Sequence, residues 1–152
     1  HNLLKPVSIQ NGYNLLNRVF DISLSEISIR ENCGLIAYSP LAGGRLSGKY
    51  LNEKKPDNAR YTLWPGRFSR HHTLKGEIAI KKYLNLSKKY NLNITDLSNA
   101  FVFSRPYLTS SIFGVTSVNQ LKNNLNCLNF ELNKDLLVEI NQIHVADPNP
   151  CV

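Results

Sequence analysis

Methionine is absent from the 152 residues and tryptophan occurs once. A translation product ordinarily opens on methionine. This chain opens on His1, so it is expected to be a fragment or a processed piece. Cysteine is scarce as well: Cys33, Cys127 and Cys151 are odd in number and scattered. They offer neither metal-ligand spacing nor an even disulfide framework, which points to a reducing compartment, so the expected location is cytoplasmic. Long apolar runs are missing. Ala100–Phe103 and its like are far too short to span a bilayer. No basic start followed by an apolar stretch opens the chain, so neither a signal peptide nor a membrane partner is expected. There is no short-period repeat and no low-complexity tract. Acids are outnumbered, 11 against 18 Lys and Arg, for a formal charge of +7. Such a balance suits nucleic acid, a membrane surface or a phosphorylated ligand. The lysines come in pairs (Lys54–Lys55, Lys81–Lys82, Lys88–Lys89) rather than in one block with aromatics between. That is the pattern of solvated helix faces, so no nucleic-acid partner is expected.

What is present suits a soluble globular domain: 42% hydrophobic and 19% charged residues, in a chain long enough to bury a core. Pro6–Gln10 reads as a short strand, with Asn11–Gly12 a turn signal after it. A helix is expected over roughly Asp21–Glu31, carrying Leu24 and Ile27, with Gly34 at its C-terminal cap. Leu35–Tyr38 is a continuous apolar run between turn residues, the mark of a strand buried on both faces. A Pro- and Gly-rich loop, Ser39–Lys49, follows, and then an irregular stretch, Tyr50–Thr73. A loop of that length is usually functional or mobile. Its adjacent pair His71–His72 does not face one way, so no metal site is expected there.

Lys75–Tyr90 has Ala79, Tyr83, Leu86 and Tyr90 at helical spacing. Thr95 is expected to cap a second helix running to about Ser104, with Pro106 stopping it. A third strand is expected near Thr109–Phe113. Gly114 turns the chain into a helix near Val118–Leu128, capped by Thr116 or Ser117 and turning Leu121, Leu125 and Leu128 inward. A last helix starts at Asn133 or Lys134 and carries Leu136, Ile140 and Ile143. Alternation of this kind calls for a parallel sheet covered by helices. Three strands alone leave two bare edges, so the pattern fits part of a larger α/β fold.

The polar clusters all follow expected strands: Gln10, then Ser39–Gly44, then Gly114–Ser117. In a parallel sheet those positions lie at the carboxyl end, where α/β folds bind ligands. A strand that turns on glycine into a helix N-terminus is also a natural anion seat. Acid–base or nucleophilic machinery is not evident. Ser39 lies in SPLAGG, which is not a Gly-x-Ser-x-Gly elbow. His144 reads as a partly exposed surface residue. No two acids pair at a strand end. The residues describe a binding platform.

LIAYSPLAGGRLSGKY (Leu35–Tyr50), SIFGVTSVNQLKNNL (Ser111–Leu125) and the opening SIQNGYNLLNR (Ser8–Arg18) resemble the C-terminal half of the aldo-keto reductases. Within that family the likeness is closest to its Tas-like and potassium-channel β-subunit branches. The resemblance covers nearly the whole chain. It implies a (β/α)8 TIM barrel, of which residues 1–152 would supply about strands six to eight with their helices, the cofactor-binding half. It implies NADP(H) as cofactor and a small-molecule aldehyde or ketone as substrate. By the same likeness Gln10 would contact the nicotinamide carboxamide and Tyr38 would stack on the ring. Ser39, Pro40, Leu41, Ala42 and Gly43 would wrap the pyrophosphate, with Lys49 reaching the phosphates. Gly114, Thr116, Gln120, Asn123 and Asn124 would hold the adenosine end and its 2′-phosphate. Arg60 would close over the cofactor, with Arg67 or Arg70 as alternatives from the same loop. Val115 stands where some relatives have a basic residue, and Asn123 where an acid is common. The family's catalytic Asp, Tyr, Lys and His come from the N-terminal half, so no catalytic residue is assigned here and that half of the barrel is the implied partner. The channel-subunit likeness implies an alternative, a non-catalytic NADP(H)-binding regulatory subunit of the same fold.

Overall fold

Three short strands, β1 (Ser8–Gly12), β2 (Gly34–Tyr38) and β3 (Leu108–Ile112), form a parallel sheet in the order β1-β2-β3. The structure is a computed structural model and describes residues 4–66 and 69–151. Gln10 pairs with Ile36 and Gly12 with Tyr38, while Ile36 pairs with Ser110 and Tyr38 with Ile112. Side chains alternate along a strand, so these six residues share one face of the sheet. Leu35 and Ala37 point to the other face and are fully buried.

That other face carries the core. Helices α3 (Leu74–Lys89), α4 (Ile94–Phe103) and α6 (Lys134–Ala146) contribute Ile80, Tyr83, Leu97, Phe101 and Ile140. Tyr13, Leu16 and Phe20, from the segment after β1, join them. Burying each such side chain is worth roughly 1.5–3 kcal/mol. The helices form where the sequence supplies caps. Thr73 accepts from the Gly76 N–H at 2.8 Å and Asn133 from the Leu136 N–H at 2.8 Å. Beyond the caps, Ala79, Tyr83 and Leu86 turn inward on α3, and Leu136 and Ile140 on α6. Glu139 of α6 ties the two helices together, accepting from Tyr90 at 2.6 Å and from Lys89 at 2.8 Å.

A polar knot crosses the core. The Tyr13 hydroxyl donates to Asp21 at 2.8 Å, Tyr107 donates to the same carboxylate oxygen, and Arg18 Nε holds the second oxygen at 2.8 Å. Burial, reinforced by the Asp21 carboxylate, holds both phenols well above the ordinary tyrosine range, so they remain donors. The C-terminal tail is stitched to the same region. Asn149 accepts from the Arg18 N–H at 2.6 Å, and the Cys151 N–H donates to the Leu16 carbonyl at 3.2 Å. All three cysteines are free. No helix among the described residues is long and apolar enough to cross a membrane.

Several local expectations are corrected. Asn11–Gly12 is not a turn but the end of β1, because the ladder to β2 continues through Tyr38. The helix expected from Asp21 is split into a 3-10 turn, Val19–Asp21, and α1 (Leu24–Arg30), whose Ile27 is exposed. Asn32, with φ 50°, makes the left-handed turn after α1, which frees Gly34 to start β2. β2 is buried on one face only. Ile36 and Tyr38 are half-buried, whereas Leu35 and Ala37 on the opposite face are fully buried among the helices. Asn93, not Thr95, caps α4, because its side chain reaches the Thr95 N–H at 2.9 Å. Helix α5 (Val118–Asn126) is capped by Ser117 and turns Asn124 inward, while Leu121, Leu125 and Leu128 stay exposed. Among its described residues the irregular stretch contains a short α-helix, α2 (Arg60–Leu63), and 3-10 turns at Leu51–Glu53 and Ser69–His71.

Candidate functional site

The ends of β2 and β3 open into a cleft of ≈ 520 Å3, within the several-hundred-Å3 range of small-molecule sites. Tyr38, Ser39, Pro40, Leu41 and Gly43 line it from the β2 side, with Lys49 and Arg60 beyond them. Gly114, Thr116, Gln120, Asn123 and Asn124 line it from the β3–α5 side. Those are twelve of the fourteen residues expected from sequence. Gln10 and Ala42 do not line it. Gln10 is exposed on the open face of β1, and Ala42 is fully buried beneath the loop. Arg70 sits over the Tyr38 ring, 6.0 Å from its centroid. Arg67 lies outside the described residues.

The β2 side is a strained turn. Ser39 (φ 56°) and Ala42 (φ 48°) take left-handed backbone that costs a non-glycine residue about 1 kcal/mol or more. Asn14 helps hold it, its amide donating to the Ser39 carbonyl at 3.0 Å. Gly43 (φ 67°) is required for a second reason. A Cβ there would stand 2.7 Å from the Tyr61 hydroxyl. Tyr38 lies across Gly12 of the neighbouring strand, where a Cβ would meet its ring at 3.2 Å.

The β3 side is quieter. Ser117 accepts from the Gln120 N–H at 3.2 Å, and Gln120 Oε1 accepts from the Thr116 N–H at 2.9 Å. Part of the expected anion seat at the α5 N-terminus is thus taken up by its own side chains. The charge in the cleft lies on the β2 side: among the described residues the lining includes Lys49 and Arg60 and no Asp or Glu. Lys49 Nζ stands 5.1 Å from the centroid of the Tyr50 ring, which lines the cleft beside it.

Sequence reasoning missed the rest of the lining: Gly44, Ser47, Tyr50, Asn58, Ala59, Thr95, Ile112 and Phe113. Gly44 and Ser47 stood inside the Pro- and Gly-rich loop, and Tyr50 immediately after it. Asn58 and Ala59 gave no signal, coming from the irregular stretch. Also missed was His71, which is 3% exposed. Burial, then the neighbouring guanidinium groups of Arg70, Arg45 and Arg60, lowers its pKa to about 4. It is neutral at pH 7. Among the described residues no group of His, Cys, Asp and Glu could hold a metal ion.

Comparison with known proteins decides the lineage. The sequence profile of the Aldo/keto reductase family matches residues 1–145. The chain belongs to the aldo/keto reductase family. Protein tas of Escherichia coli K12 is 41% identical over 144 residues, covering 95% of this chain and 41% of the relative. An aldo-keto reductase of Babesia bovis is 36% identical over 146 residues, covering 91% of this chain and 51% of the relative. A putative voltage-gated potassium channel subunit beta of Schizosaccharomyces pombe is 27% identical over 150 residues, covering 94% and 43%. The chain thus spans about two fifths to one half of the length of these relatives. An aldo/keto reductase is an α/β barrel protein, and three parallel strands covered on one face by helices agree with part of such a barrel.

Proposed function

We propose that this chain is the cofactor-binding part of an NADP(H)-dependent aldo-keto reductase that reduces small aldehydes or ketones. In this reading residues 1–152 supply about strands six to eight, and the remainder of the barrel supplies the catalytic Asp, Tyr, Lys and His. The observation that carries the reading is the cleft: loops from two strand ends meet there, and Lys49 and Arg60 are among the residues that line it. A dinucleotide diphosphate is the ligand that such a charge distribution favours.

The residues fit that ligand. Gly43 and Gly44 bring bare backbone to the lining, so phosphate oxygens could approach closely. Lys49 and Arg60 would neutralise them. Tyr38 offers a half-buried ring for a nicotinamide to stack on, with Arg70 over it. Gln120, Asn123 and Asn124 offer amides to a ribose and an adenine. Bound there, the nicotinamide would supply hydride. The chain's own work would be to grip the diphosphate, orient the ring and exclude water from beneath it. Gln10, on the open face of the sheet, would reach the ring's carboxamide only from beside the cleft.

The test is direct. The full-length protein is mixed with NADPH and a panel of aldehydes and ketones. Saturable cofactor binding with NADPH consumption is expected, and neither binding nor turnover would overturn the proposal.

One observation favours a second reading. No Asp, Glu or His lines the cleft among the described residues, so the chain shows binding without acid–base groups. A non-catalytic NADP(H)-binding regulatory subunit would show that pattern too. It predicts tight NADPH binding by the full-length protein with no carbonyl turnover.

A further inference from the structure

Buried polar atoms without a partner are concentrated in one place. Of nine among the described residues, four belong to Arg45, Tyr50, Tyr61 and His71, which stand together around Gly43 and the Arg45 guanidinium. Native proteins leave few such atoms unpaired, so a cluster of them calls for a cause. The cluster is rich in donors. His71 Nε2 accepts from Arg70 Nε at 3.4 Å, which leaves the proton of the neutral ring on the unpartnered Nδ1. Arg45 Nε and the two tyrosine hydroxyls have no acceptor either.

Arg45 is the centre of the matter. It is 4% exposed and forms no ion pair among the described residues. Glu77 feels its charge, but that carboxylate is held by Lys81 at 2.9 Å. Its guanidinium carbon stands 5.8 Å from the centroid of the Tyr61 ring and 6.0 Å from that of Tyr50. Aromatic faces attract a cation but do not neutralise it. A buried charge left this way is costly to the fold unless something else compensates it.

The position supplies the compensation. Arg45 follows Gly43 and Gly44, both of which line the cleft. Tyr61 and His71 stand directly behind Gly43, within 2.7 and 3.5 Å of where its Cβ would be. The Tyr50 ring that receives Arg45 also receives Lys49 and itself lines the cleft. We propose that Arg45 is a positioning residue, a buried cation held without a partner behind the cleft floor, whose counter-charge arrives with the diphosphate of the ligand. The inference rests on the cofactor reading for the identity of that ligand. The buried charge itself calls only for an anion at the cleft; that the anion is a diphosphate comes from the cofactor reading.

Removing the charge should therefore do two opposite things. The free protein loses a desolvation cost, while the cleft loses an attraction that acts through weakly screened protein. The test uses the full-length protein as wild type, Arg45→Met and Arg45→Lys. Calorimetric titrations with inorganic pyrophosphate and with NADPH are combined with the Tm of the free protein. Arg45→Met is expected to bind both probes about tenfold more weakly with an unchanged or raised Tm, and Arg45→Lys to recover most of the affinity. Wild-type affinity in Arg45→Met would overturn the proposal and leave the cofactor reading standing. So would a lowered Tm in Arg45→Met that lysine restores without restoring affinity, since Arg45 would then be structural. If wild type binds pyrophosphate but not NADPH, and Arg45→Met loses the pyrophosphate, the role of Arg45 stands and the cofactor reading falls. Binding of neither probe to wild type overturns both.

Discussion

The two faces of the sheet differ in kind. Leu35 and Ala37 point into a core closed by α3, α4 and α6, and both are fully buried. Gln10, Ile36, Tyr38, Ser110 and Ile112 point the other way and none is fully buried. The same strands thus carry the core on one side and a cleft at the end of the other. Side chains on the closed face should matter to folding and little to binding. Those around the cleft should show the reverse.

The comparison breaks first, if it breaks, at Phe101. This ring is fully buried, stacks on Tyr13 at 5.9 Å and receives Arg18 at 4.9 Å. Phe101→Ala should cost about 3–5 kcal/mol in urea unfolding. Saturating NADPH affinity should be kept wherever the variant stays folded. A next, smaller effect lies at the boundary between the two regions. His71 has its folded pKa lowered to about 4, against an ordinary 6.5, so the unfolded chain binds the extra proton between those values. Its contribution is complete above about pH 6.5 and is lost as pH falls toward 4, by up to about 3 kcal/mol. The stability difference between wild type and His71→Gln should shrink by that order when urea melts are repeated from pH 7 down to pH 4.5.

Tyr38→Ala sharpens the contrast from the open side. The ring is half-buried, so stability should fall by less than about 1 kcal/mol, while NADPH binding followed by fluorescence should weaken about tenfold. The smallest effect is expected at Leu128, 61% exposed after α5. Leu128→Gln should change stability by under about 0.5 kcal/mol and leave NADPH affinity untouched.

Much of the architecture was legible in the sequence. β2 announced itself as a short apolar run ending in turn residues, and β3 as the segment leading into the Gly114 turn. α3 and α6 did so through inward positions at helical spacing. The strand-end clusters led to most of the cleft because a parallel sheet brings its carboxyl ends together. The failures have common physical roots. Leu35–Tyr38 is apolar throughout, and such a run looks alike whether one face or both are covered. Leu121, Leu125 and Leu128 share a helix face, but periodicity does not say which face meets a neighbour. In α5 the amide of Asn124 turns inward instead. Asn93 and Thr95 are both good caps, and only backbone geometry separates them. Gln10 and Ala42 belong to the same strand-end motifs but do not line the cleft, one being exposed on β1 and the other buried. The donor cluster of Arg45, Tyr50, Tyr61 and His71 had no local signature, since it is assembled from the loop after β2 and the irregular stretch.

The most direct test of the central claim is a titration of NADPH into the full-length protein, wild type and Lys49→Met, followed by nicotinamide fluorescence. Saturable one-to-one binding by wild type, weakened about tenfold in Lys49→Met, is the outcome expected of a diphosphate held in this cleft. Equal binding by the two proteins, or none by wild type, would contradict it.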